Sequence, residues 1–508
     1  MAKIVPTSNR INEWLGNNYL LLCCLLIFTG IDLRLRQYLA NLSLWRDEAS
    51  LALNLIQRSF GDLMLPLEDD QGAPLGFLWL QKGIITLFGS SEYALRLLPL
   101  ICSIIAIFVF WFVASKYLNK HETLLALTLF VLSSFLIEFG AEVKQYSSDV
   151  LVGLLILSMF YFLRKQKLGI IPILGYSVLG AILIWISHPA IFFLAAIGLS
   201  TLIDFYLKGN KHNLRAMILI GSIWIVSFLI FYLVSLTHLA SNQYLLDYWE
   251  NGFPPSLSRP LTVSQWIIDV LLGSFKNPAG LPILGLGAFL YVMGAISLYK
   301  QDKIVYLSLL LPILFTILAA FLEKYPFADR LILFIVPLLI IPIAKGTNQL
   351  INILSTNQFR LASPFLVGIL LFYPVVTTIN NLIQPQLKEE IRPVIEHVRD
   401  NWQEGDIIYV YYGAKRPFVY YQPQYQFQDN DYIIGIEARD EWVKYLPDLN
   451  QLREYKRVWL VFSHVHSGNG INEEKLFINW LDRTGAIQKD WFPRAGASTY
   501  LYEFSPSP

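Results

Sequence analysis

The chain has 508 residues, 55% of them hydrophobic and 15% charged, with a net charge of +1. Together with a mean hydropathy of +0.48, this composition excludes an ordinary soluble enzyme and reads as an integral membrane protein. The near-zero charge gives no sign of a nucleic-acid partner, and Cys23, Cys24 and Cys102 all lie inside apolar runs, which leaves no disulfide or thiolate metal framework to the polar segments.

About eleven apolar stretches approach the roughly 20 residues that cross a bilayer. They fall at 19–31, 94–114, 124–139, 150–163, 170–186, 190–207, 216–236, 281–299, 304–322, 331–344 and 361–382. The first lacks a small-residue cleavage site and is expected to be an uncleaved helix rather than a signal peptide. Basic residues recur in every second connection: Lys116/Lys120, Arg164/Lys165/Lys167, Lys208/Lys211/Arg215, Lys300/Lys303 and Lys345/Arg360. That alternation is the positive-inside pattern and predicts a cytoplasmic N-terminus. The first external loop (35–93), the segment 237–280 and everything after Gln384 then lie on the opposite face. A bacterial plasma membrane, with that face periplasmic, is the expected location.

The first external loop opens on Leu44-Trp45-Arg46-Asp47-Glu48. Carboxylates at a bilayer surface cost free energy, so the pair is a functional candidate. A helix starting at Asp47 puts Asp47, Ser50, Asn54, Gln57 and Arg58 on one stripe and Ala49, Ala52, Leu53, Ile56 and Phe60 on the other, which predicts an amphipathic helix lying flat on the membrane. The competing reading of Asp47 is a helix N-cap. Glu48 lies about 100° round the helix and faces another environment. Further on, Glu138, Glu142, Gln145 and Asp149 are spaced four, three and four apart, which on a continuous helix makes one polar stripe beside spans three and four. His188, before Pro189, is either a ligand contact or part of a structural turn. The stretch 244–253, with Asp247, Tyr248 and Trp249, suits a ligand-contacting loop and an interfacial aromatic belt equally.

Beyond residue 384 the composition shifts to β-rich runs at 407–412 and 458–462 with candidate helices at 389–401 and 473–484. The expected organisation is a transmembrane domain, 1–384, followed by a small extracytoplasmic α/β domain, 385–508. His464 and His466 could face a metal together, but with no third ligand close in sequence they read as surface loop.

Four segments then fall into a recognisable order. They are Asp47-Glu48 after the first span; Ala73-Pro74-Leu75 leading into an aromatic helix; Phe88-Gly89-Ser90-Ser91-Glu92, followed by Arg96-Leu97-Leu98-Pro99; and Glu142-Val143-Lys144-Gln145-Tyr146. Tyr325-Pro326-Phe327-Ala328-Asp329-Arg330-Leu331 extends the series. This order resembles the GT-C glycosyltransferases, and within them the dolichyl-phosphate-mannose protein mannosyltransferases and lipid A aminoarabinose transferases. Ala73 stands where a proline is usual, and Lys144 where arginine is frequent.

The resemblance implies transfer of a hexosyl or pentosyl group from a polyprenyl-phosphate donor to a lipid, glycan or protein acceptor on the external face, in contact with membrane lipids. Asp47, with Glu48 beside it, is expected to be the catalytic base. Its apolar surroundings are expected to raise its basicity. Arg330 and then Lys82 are expected to hold the lipid-phosphate leaving group. Glu142 and Tyr146, with Lys144, Asp149 and His188, are the expected substrate contacts. A divalent ion between Asp47 and Glu142 is an open possibility. An oligosaccharide ligase or polymerase with a larger donor, or a transporter of lipid-linked sugar, would share much of this pattern; a transporter calls for charged, broken helices at mid-bilayer, and these spans carry few charges away from their ends.

Overall fold

The computed structural model describes residues 14–355, 362–439, 441–468 and 470–504. Each of the eleven apolar stretches falls on helix, while Arg360 and Leu361 lie outside the described residues. Seven helices among the described residues are long and apolar enough to cross a membrane, and eight if Lys120–Val131 and Ser134–Ala141, bent by 57°, count as one. The expected eleven spans therefore include segments that fall short. Ile170–Ile186 is a shorter apolar helix, while Tyr19–Leu39 carries Asp32, Arg34 and Arg36 in its last turns.

Sequence sets the helix ends. Ser91 accepts from the Ala94 amide to open Glu92–Tyr117, and Asn119 with Glu122 forms a reciprocal capping box that opens Lys120–Val131. Leu284–Gln301 and Val336–Ser355 pack backbone to backbone: a Cβ at Gly294 would stand 1.8 Å from the Pro342 carbonyl oxygen, and one at Gly346 1.9 Å from that of Leu290. Only glycine permits that approach.

Two expectations change here. The helix Arg46–Gln57 does not lie flat on a bilayer. Residues Glu48 to Leu55 are all buried, because Lys415–Tyr421 of the C-terminal domain packs on one side and Leu75–Phe88 on another. Its predicted polar stripe faces protein: Asn54 donates to the Ser50 carbonyl (2.9 Å) and accepts from the Glu68 amide (2.9 Å). The stripe from Glu138 to Asp149 is likewise not continuous. Helix Ser134–Glu138 passes into a 3-10 turn, Glu142 is extended, and helix resumes at Tyr146. Gly140 sits at the break, where a Cβ would lie 2.7 Å from Ser103 Oγ.

The C-terminal domain is a five-stranded sheet, ordered β2-β1-β3-β7-β6, with helices packed against it. Strands β1 (Asp406–Val410), β2 (Tyr432–Ile434) and β3 (Arg457–Ser463) run parallel, whereas β7 (Ala497–Glu503) is antiparallel to both β3 and β6 (Ile487–Arg494). A short hairpin, β4 (Ser467–Gly468) and β5 (Ile471–Asn472), follows β3. β1 is buried throughout and β3 nearly so, which is why both read as unbroken apolar runs.

This domain clamps the chain just before Asp47. Glu390 accepts from the Ser43 amide (3.2 Å) and hydroxyl (3.0 Å), Tyr421 Oη accepts from the Leu44 amide (2.8 Å), and Glu389 accepts from the Arg46 amide (3.0 Å). Arg392 donates to the Asn41 carbonyl (2.6 Å) and pairs with Glu92 (2.7 Å).

Candidate active site

Where the clamped segment enters the helix Arg46–Gln57, a cavity of about 540 Å³ opens between the bundle and the C-terminal domain. Asp47, Lys144, Tyr146, Asp149, His188 and Arg330 all line it, so six of the nine predicted site residues share one space. Trp45, not Asp47, occupies the N-cap position. Asp47 lies in the first helical turn, where the helix dipole favours a negative charge, and accepts from Arg330 Nη2 at 2.6 Å.

Arg330 enters on the 3-10 turn Asp329–Ile335, which is pinned by Tyr325 Oη donating to the Leu331 carbonyl (2.7 Å). Its guanidinium lies over two indoles, 5.3 Å from the Trp45 ring centroid and 5.6 Å from that of Trp249. Such faces attract a planar cation and fix its orientation. Arg330 Nε is buried with no hydrogen-bond partner among the described residues, so one donor remains uncommitted. Lys144, fully enclosed, donates to Gln71 Oε1 at 2.6 Å.

Burial acts to raise the Asp47 pKa, but Lys144 and Arg330, aided by His464 and Arg46, outweigh it and hold the carboxyl below its ordinary value. The expected gain in basicity is thus reversed, because two cations act on the carboxylate. Burial also lowers the Lys144 ammonium, with Asp47 the main group opposing it. His188 is pushed down to about 4 by burial alone, which keeps its ring neutral, and its Nε2 has no partner among the described residues. Asp149 Oδ1 and Gln145 Oε1 are also buried and unpartnered, leaving acceptors free in the same region.

Three predicted residues stand elsewhere. Glu48 is buried in a two-pronged ion pair with Arg96 (2.6 and 2.9 Å) and accepts from the Val143 amide (2.8 Å), so it ties the Asp47 helix to the loop that carries Lys144. Arg96 is thus held by Glu48, while Glu92 pairs with Arg392. Lys82 lies outside the cavity and donates to the Leu55 and Ile56 carbonyls (2.7 and 3.4 Å), capping the C-terminal end of that helix. Glu142 turns away to Lys388, which it shares with Glu138 (2.8 Å to Glu138). Burial, with Glu48 and Glu138 close by, lifts Glu142 above the usual carboxylate range against the pull of Lys388.

The donor set does not suit a divalent ion between Asp47 and Glu142. Each carboxylate is engaged by its own cation, and among the described residues no three His, Cys, Asp or Glu side chains converge.

The site also contains groups that were not expected. His464 lines the cavity at the end of β3, with φ +51° and with Nδ1 2.6 Å from Glu389 Oε1. Glu389 also accepts from the Arg46 amide, so one carboxylate links His464 to the residue beside Asp47. The paired histidines were visible in sequence, but no local pattern connects them to a loop more than four hundred residues away. Trp45 stood within the quoted Leu44–Glu48 segment and Gln71 just before Ala73, neither with a sign of its role.

Apolar helices, with a sheet domain packed over the segment that carries Asp47, give the chain a GT-C type of fold. The archaeal oligosaccharyltransferase AglB of Archaeoglobus fulgidus, solved with an inhibitory peptide and a dolichol-phosphate, superposes with TM-score 0.54 at 10% identity, covering 96% of this chain and 74% of its own. Its apo form gives 0.55 at 11% identity, over 97% and 75%. ArnT from Cupriavidus metallidurans bound to undecaprenyl phosphate gives 0.51 at 10% identity, over 96% and 98%. Within the chain, residues 72–239 match the family model for dolichyl-phosphate-mannose-protein mannosyltransferase. No curated protein sequence matches significantly.

Proposed function

We propose that the protein is an inverting glycosyltransferase that moves a hexosyl or pentosyl group from a polyprenyl-phosphate donor to an acceptor hydroxyl. The observation that carries this reading is the Asp47–Arg330 pair at the cavity, with a carboxylate and a guanidinium in contact and a free Arg330 N–H beside them. Asp47 takes the acceptor O–H proton as that oxygen attacks the anomeric carbon. The bond from that carbon to the phosphate oxygen breaks, and its electron pair stays on the departing lipid phosphate. Arg330 and Lys144 neutralise the charge that develops there. Lys144 thereby takes the place that the sequence suggested for Lys82.

The paired ground state fits this chemistry. A bound phosphate draws Arg330 away from Asp47, and a carboxylate that loses its counter-cation becomes a stronger base. Tyr146, Asp149 and His188 supply polar contacts to the sugar. Glu48 acts as a positioning residue, and no step needs a metal. The transmembrane part (1–384) holds the donor and the C-terminal domain (385–508) holds the Asp47 segment, with the site and that domain facing the periplasm from a bacterial plasma membrane. The acceptor is a lipid, glycan or protein hydroxyl presented there.

The test is turnover of a panel of radiolabelled polyprenyl-phosphate sugars by the protein in lipid vesicles, with the product anomer assigned by NMR. Release of polyprenyl phosphate from one donor, with inversion, is the expected result. Retention would overturn the single displacement, and turnover confined to pyrophosphate-linked oligosaccharides would make the protein a ligase.

A further inference from the structure

The opposite end of the bundle carries a second cavity, which sugar transfer does not use. The helix Tyr146–Leu163 starts at the Asp47 cavity and, 18 residues later, about 27 Å further on, delivers Arg164 and Lys165 to a space of about 300 Å³. Lys116 arrives from Glu92–Tyr117, Lys208 follows Ala190–Leu207, and Asp302 precedes Lys303–Phe321. Phe160 and Tyr161 supply aromatic wall.

The charges there do not balance. Arg164 is fully engaged, donating to Asp204 (3.1 and 3.2 Å) and to Asp302 (2.9 and 3.4 Å). Lys208 also donates to Asp204 (2.7 Å), and Asp302 further accepts from the Ile304 and Val305 amides. Both carboxylates are thus committed. Lys116 and Lys165 have no carboxylate partner among the described residues. Both instead gather on aromatic rings about Tyr161: Lys165 Nζ donates to its hydroxyl (2.8 Å) and lies 4.3 Å from the ring centroid, and Lys116 Nζ lies 5.5 Å from it and 4.9 Å from that of Phe112. Four cations against two carboxylates leave two positive charges converging where apolar helices end. Exposed Phe162, Tyr206 and Leu207 flank them on the same helix ends and suit acyl chains.

We propose that this cavity binds the phosphate of an anionic membrane lipid, with Lys116 and Lys165 as its direct contacts and Arg164 as the brace that joins the helices. The positive-inside pattern alone would explain basic loops. It does not call for a cavity in which two lysines share one phenol while every nearby carboxylate is committed.

The test uses the full chain, purified from vesicles of phosphatidylcholine and phosphatidylglycerol, with co-purifying lipid counted by native mass spectrometry. Each lysine near a phosphate is worth roughly fivefold in affinity, so K116Q/K165Q is expected to retain about twentyfold less phosphatidylglycerol with phosphatidylcholine unchanged. K116R/K165R is expected to restore retention. K167Q, altered in the same loop but outside the cavity, is expected to behave as wild type. Equal retention by K116Q/K165Q and wild type, or a loss equally large in K167Q, would overturn the proposal and leave the lysines as a topology signal. Displacement of the lipid by inorganic phosphate would overturn it in favour of a soluble anion.

Discussion

Replacing Arg330 tests the site at its centre. Asp47 and Arg330 meet at 2.6 Å with side chains 24% and 19% exposed, so their attraction is only partly screened. Unit charges about 4 Å apart at an effective dielectric of about 20 attract by about 4 kcal/mol before desolvation is counted. During transfer the departing phosphate takes the place of Asp47, and loss of one such donor lowers kcat by about a hundred- to a thousandfold. R330Q is therefore expected to lose that much in kcat, and R330K about tenfold, because lysine keeps the charge but not the planar group that lies over Trp45 and Trp249. A second readout separates this from misfolding. Arg330 is one of the two main groups holding Asp47 below its ordinary pKa, so in R330Q the acidic limb of kcat/KM moves to higher pH. Initial rates in vesicles, with kcat and KM resolved across pH, measure both. Activity of R330Q within roughly threefold of wild type, or an acidic limb displaced downward, would refute the assignment.

Three further outcomes follow from the same geometry. E48Q leaves Arg96 buried without its counter-charge, which costs about 3–5 kcal/mol and is expected to lower the melting temperature sharply in detergent; an unchanged melting temperature would contradict it. K82M is expected to keep kcat within about threefold while losing roughly 1 kcal/mol of stability, because Lys82 caps a helix outside the cavity; loss of turnover with intact folding would return Lys82 to the donor site. His188 has a folded-state pKa of about 4 against 6.5 ordinarily, so the unfolded chain binds its proton first as pH falls. Its contribution to stability is complete above pH 6.5 and is lost between there and pH 4, a difference of at most about 3 kcal/mol. H188N is expected to flatten melting temperature over that interval, and an unaltered slope would show that His188 is not the group responsible.

Much of this was legible in the chain because it is local. Apolar length and basic clusters marked the helices, the runs that became β1 and β3 marked the sheet domain, and the acidic pair marked the loop. Asp47, Lys144, Tyr146, Asp149, His188 and Arg330 could be nominated because each sits at or beside a helix end, most of them within the segments that carry the family resemblance, and the fold gathers these side chains into one cavity. Glu48, Lys82 and Glu142 could not be sorted from them, since their partners Arg96, the Leu55 carbonyl and Lys388 lie 27 to 246 positions away. The helix Arg46–Gln57 looked like a surface helix for the same reason. Its amphipathic pattern is real, but the partner for its polar face, the Glu68 turn, and the roof over it, Lys415–Tyr421, come from other parts of the chain. The Asp47 pKa went the opposite way to expectation because burial, the only effect readable from local composition, is outweighed by two cations placed by tertiary structure.

The most direct test of the account is single-turnover transfer from a labelled polyprenyl-phosphate sugar, comparing wild type with D47N at equal donor occupancy. Asparagine keeps the shape and the seat beside Arg330 but cannot accept the acceptor's proton, and general-base catalysis alone is worth about a hundred- to ten-thousandfold. A loss of that size with donor affinity retained is the predicted result. Transfer by D47N at the wild-type rate would contradict the central claim that Asp47 is the base.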